Sequence, residues 1–134
     1  MKVRRALAAL AIAPTVAAAQ PCSPELPGGR QVESARFAVG YRTLPAKIAV
    51  GKHFAVELAV CPKGGGQPPE SVRIDAQMPE HRHGMNYQAD VVALPAGRYR
   101  AEGLMFHMPG RWEFIFDLRS GGRTDRLTQS LVLE

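Results

Sequence analysis

A chain of 134 residues with 17 lysines and arginines against 12 aspartates and glutamates has room for one domain and a formal charge of +5. Much of that excess sits at the start: without Lys2, Arg4 and Arg5 the basic residues fall from 17 to 14, a net charge near +2. The other arginines (Arg73, Arg98, Arg100, Arg111, Arg123 and Arg126 among them) are interleaved with acids rather than gathered in a run, so no nucleic-acid partner is expected.

Lys2, Arg4 and Arg5 lead into an alanine-rich apolar stretch, Ala6 to Ala19, which contains Pro14 and ends in the small-residue pattern Ala17-Ala18-Ala19. Fourteen such residues fall short of the roughly 20 that cross a bilayer. Residues 1–19 are therefore expected to be a signal peptide cleaved before Gln20, leaving a periplasmic or secreted protein with no membrane span. Gln20-Pro21 lacks the small residue that precedes a lipidated cysteine, so Cys22 is not expected to carry lipid. Cys22 and Cys61 have no C-x-x-C spacing, and in an oxidising compartment the pair predicts a disulfide.

Residues 20–34, rich in Pro and Gly as far as Arg30, predict an extended lead-in, and residues 35–134 a β-sandwich domain. Apolar residues there recur at a period of two, as half-buried strands require. Phe37 and Val39 make one such row; Phe54, Val56, Leu58 and Val60 a second; Val72, Ile74, Ala76 and Met78 a third. Trp112, Phe114, Phe116 and Leu118 make another, and Leu127, Leu131 and Leu133 the last. Turn residues separate them: Pro62 to Gly66, Pro95-Ala96-Gly97, Pro109-Gly110 and Ser120-Gly121-Gly122. No helical stripe of useful length follows the leader. About seven short strands predict an all-β antiparallel sandwich of immunoglobulin or cupredoxin type.

Chemistry concentrates in two stretches, Met78-Pro79-Glu80-His81-Arg82-His83-Gly84-Met85 and Met105-Phe106-His107-Met108. Every methionine after the leader and three of the four histidines lie between Met78 and Met108. Thioether sulfur suits copper(I), and imidazole suits both copper oxidation states. Zinc would more often recruit cysteine or carboxylate, and hard cations would want clustered carboxylates. The donor set therefore points to copper, copper(I) before copper(II).

His83, Met85 and His107 are the leading ligand candidates, followed by Met105, His81, Met108 and Met78. Met78 also continues the inward row of its strand, Met108 equally ends one, and His81 equally reads as a solvated loop residue. His53 stands apart and reads as a surface histidine, and Trp112 as the core tryptophan of the sandwich. The apolar row changes face near Gly103, which predicts a bulge that turns Leu104 and Phe106 inward and leaves Met105 and His107 toward the rim.

The order strand, M-P-x-H-x-H-G-M, a G-x-Y-x-A-x-x-L strand, then M-P-G-x-W and an aromatic strand resembles the YtkA-like domain family, over roughly Phe37 to Leu133. FixH-type proteins linked to copper-oxidase assembly are related to it. The resemblance implies an immunoglobulin-like sandwich and extracytoplasmic metal handling. FixH-type members carry a membrane anchor, whereas the apolar segment here has the marks of a cleavable one. The ligand vocabulary is also similar to that of periplasmic copper chaperones of the PCuAC type, with two His and two Met, roles that His83, Met85, Met105 and His107 would fill at a different spacing.

The leading expectation is a copper chaperone or buffer holding one ion, with a copper-accepting or copper-donating protein as partner. A metal-free immunoglobulin-like interaction module using methionines as adaptable contact surface is the alternative. A copper enzyme would need a substrate pocket that the sequence does not reveal. No serine, cysteine or paired-carboxylate constellation suggests hydrolysis, so no enzyme activity is expected.

Overall fold

The period-two rows become strands paired antiparallel throughout. The computed structural model describes residues 13–15 and 21–134. The rest of the expected leader, 1–19, lies outside the described residues. In chain order the strands are β1 (Arg30–Glu33), β2 (Phe37–Leu44), β3 (His53–Pro62), β4 (Ser71–Met78), β5 (His83–Gly84), β6 (Asp90–Leu94), β7 (Arg98–Met105), β8 (Gly110–Ser120) and β9 (Arg123–Leu133). They form a five-stranded sheet, β1-β2-β3-β7-β6, packed on a four-stranded sheet, β5-β4-β8-β9. No helix of the described residues is long and apolar enough to cross a membrane.

Nine strands stand where about seven were expected. β1 comes from the lead-in and pairs along β2, while β5 is a two-residue bridge onto β4. β6 carries Val92 and Leu94 on an exposed edge, so burial gave it no clean alternation to read.

The inward rows supply the core. Val39 and Tyr41 of β2, Val56 and Leu58 of β3, Ile74 and Met78 of β4, and Trp112, Phe114 and Phe116 of β8 are all buried. Polar residues take the outer faces, where Arg126 pairs with Asp117, and Arg100 with Glu102 and Glu57. The lead-in is tied down twice. Cys22 and Cys61 form the expected disulfide, with Cα atoms 5.6 Å apart. The Pro24 carbonyl lies so close over Gly40 that a side chain there would strike it.

Topology then gathers one end of the sandwich. Gln77 at the end of β4 pairs with Glu113 near the start of β8. The chain leaves β4 through β5 and crosses to β6 in the other sheet, and it crosses back over residues 106–109 from β7 to β8. Both crossings and the first residue of β3, His53, which pairs with Met105, therefore lie at the same rim. The two chemistry-bearing stretches are these two crossings.

Candidate metal centre

After Met78 the chain reverses tightly. The His81 amide donates to the Met78 carbonyl at 3.1 Å, and Arg82 takes φ +55°. The return strand sets Met78 opposite His83. Cross-strand partners share a face, so His83 lies on the inward side beside Met78, whose side chain is 1% exposed. Met85 follows two residues later, its amide donating to the Ala76 carbonyl at 3.3 Å, and packs partly buried against the core. His81 stays exposed, its ring centroid 5.7 Å from that of His83.

The second stretch is pinned by Trp112. Phe106 stacks on it, centroids 4.4 Å apart and planes 12° off parallel. The Trp112 indole N–H donates to the Met108 carbonyl at 3.0 Å. Held at both sides, His107 sits half-buried with its ring toward the inner rim, 5.4 Å from Trp112 and 5.2 Å from His83 between ring centroids. His83 in turn stands 6.0 Å from Trp112 and near the sulfur atoms of Met78 and Met108.

This arrangement fits a soft metal ion. Two imidazoles bound to one ion at about 2.0 Å and a near-tetrahedral angle place their centroids about 5 Å apart, the separation of His83 and His107. His83 Nδ1 lies 3.1 Å from the Gly84 carbonyl. In the tautomer that donates this bond, Nε2 keeps its lone pair for a ligand. His107 Nδ1 is buried with no hydrogen-bond partner, an unsatisfied polar atom of the kind that a bound ion relieves. Among the described residues no three His, Cys, Asp or Glu side chains gather round one point, so an ion held here would depend on thioether sulfur. Glu80 is the only carboxylate in the first stretch, and it accepts from Arg111 Nε at 2.9 Å. Near His83 there then gather a second imidazole and two thioether sulfurs, a soft donor set.

Met78 is thus both core and wall. Its terminal methyl reaches the backbone of Gly110, where a Cβ would come within 2.8 Å of it. Trp112 likewise does more than fill the core, because both histidines lean on it.

The bulge near Gly103 is present. Phe54 pairs with Leu104 but Val56 with Ala101, so β7 holds one extra residue, and Gly103 has φ +83°. Leu104 and Phe106 point inward, fully buried. Met105 and His107, expected together at the rim, take different sides. β7 ends at Met105, which stays on the outer face opposite His53, and the crossing carries His107 inward. His53 had only its isolation in the sequence to judge it by, since strand register is invisible locally.

Compared with known proteins, residues 31–117 match the family model described as YtkA-like, a span that contains both stretches. A solved structure, that of a DUF4426 family protein from Pseudomonas aeruginosa PAO1, is similar with a TM-score of 0.51 at 11% identity. The likeness covers 82% of this chain and 99% of that one, and at this identity it concerns the fold alone. No curated protein matches.

Proposed function

The chain belongs to the YtkA-like family, and we propose that it is an extracytoplasmic copper carrier or buffer rather than an enzyme. One copper ion, copper(I) in preference to copper(II), is the cargo. His83 and His107 supply nitrogen and Met78 and Met108 sulfur, with Met85 and His81 at the margin as exchange ligands. The observation that carries this reading is the approach of His83 to His107, from two separate crossings, beside two thioethers.

His83, His107 and Met108, half-buried at the rim, can be surrendered one at a time to the ligands of a copper-accepting or copper-donating protein, which favours transfer over permanent storage. The Cys22–Cys61 disulfide supports an oxidising compartment, where thiolates would be lost to oxidation and Met/His ligands persist.

Competition titration of the leader-free protein with copper(I) tests the reading. The expected result is one tight equivalent, weakened by about 100-fold in a His83→Ala, Met85→Ala, His107→Ala variant. Equal affinity in parent and variant removes the basis of the proposal, and a parent with no copper affinity tighter than about micromolar favours a metal-free interaction module instead.

A further inference from the structure

Met105 is the one candidate sulfur that the fold carries to the outer face, and its position there is not that of a stray surface residue. His53 opens β3 directly opposite it. Cross-strand partners on one face hold their Cβ atoms about 5 Å apart, which lets an imidazole nitrogen and a thioether sulfur close on one ion. A third side chain completes the group. The Tyr87 ring meets the His53 ring edge-on, centroids 5.1 Å apart. Tyr87 lies just ahead of β6, which flanks β7 on the side away from β3. His53 and Tyr87 therefore reach toward each other across the strand that bears Met105. His53 and Tyr87 are exposed and Met105 is half-buried, so the group is open to solvent.

We propose that His53 and Met105, roofed by Tyr87, form a second, outer site for a soft monovalent ion, copper(I) or its mimic silver(I). One nitrogen and one sulfur make a low-coordinate site that the softest ions tolerate, and the Tyr87 ring adds a cation–π face. With two ligands instead of four, the outer site binds more weakly than the inner one. Its place gives it a task. Met105 and His107 are two residues apart, so their Cα atoms are within about 7 Å of each other. An ion that docks outside at His53 and Met105 needs only to pass around the end of β7 to reach His107. The outer site is a landing point on the route to the inner site, an assignment that rests on the copper reading; the existence of the outer site does not.

Silver(I) titration of the leader-free protein, followed by the NMR methyl signals of the methionines, tests both. The expected result is that the Met78 and Met108 methyls shift with the first equivalent, and the Met105 methyl with later ones. His53→Ala and Met105→Leu, at positions outside the core, abolish the late binding and leave the first equivalent unchanged. His83→Ala with His107→Ala does the reverse. Absence of any Met105 shift up to several equivalents overturns the outer site while leaving the inner one standing. A Met105 shift that disappears with His83 and His107 but survives His53→Ala also overturns it, by assigning Met105 to the inner cluster. Late binding at Met105 in a protein whose inner methyls never shift sustains the outer site and sinks the copper-carrier reading instead.

Discussion

Met78 and His83 face each other across the narrow β4–β5 bridge, one fully buried and the other at the edge of solvent. That pairing makes the innermost candidate ligand part of the hydrophobic core. Packing holds the Met78 sulfur in place, whereas His83 is only partly covered.

The two roles of Met78 are separable by shape. Met78→Leu keeps the buried volume and removes the sulfur. Thermal or chemical unfolding is expected to register less than about 1.5 kcal/mol of destabilisation. Copper(I) affinity is expected to fall about tenfold. An unchanged affinity would make Met78 a packing residue only.

Gly110 holds φ +125° and leaves room for the Met78 methyl. Gly110→Ala brings a Cβ against that methyl and strains the backbone, at a cost of about 1–3 kcal/mol in denaturant unfolding. Copper(I) binding is expected to weaken with it, since Met78 has to give way.

Trp112 is the single tryptophan of the chain and touches both histidines. Copper(II), which quenches nearby indoles, is expected to quench its fluorescence to saturation at one equivalent. His107→Ala is expected to shift the midpoint to higher copper. Unaltered emission through one bound equivalent would place the ion elsewhere.

The disulfide closes a separation of 39 residues. Replacing Cys22 and Cys61 together with serine is expected to lower stability by about 4 kcal/mol on the chain-entropy account. Equilibrium unfolding of the leader-free protein checks this, and the copper stoichiometry should not change, because both cysteines lie outside the cluster.

Asp125 predicts the acid limb of stability. Its carboxylate accepts from Arg36 Nε at 2.8 Å and from the Ser34 hydroxyl at 2.6 Å, joining β9 to the entry of β2. The Arg36 hydrogen bond first, then that of Ser34, holds the carboxyl below its ordinary range. A lowered folded pKa stabilises the fold above the unfolded value, near 4, and this is lost as pH falls through the lowered one. Asp125→Asn should therefore cost about 1 kcal/mol at neutral pH, with parent and variant converging in acid. A difference that persists undiminished below both values would contradict the linkage.

The strands around the core were legible because burial on one face imposes a period of two on residues close in sequence. Val72 to Met78 and Trp112 to Leu118 needed no partner to be read, and the Met/His window declared its chemistry by residue type alone. Even the bulge at Gly103 showed, as a change of apolar parity. What the sequence left undecided was which donors meet. The pairing of Met78 with His83, of Met105 with His53, and the inward turn of His107 depend on register between strands far apart in the chain and on the path of two crossings. Those are set by the packing of whole sheets around Trp112 and Phe106, so only the folded molecule could divide one sequence cluster into an inner and an outer group.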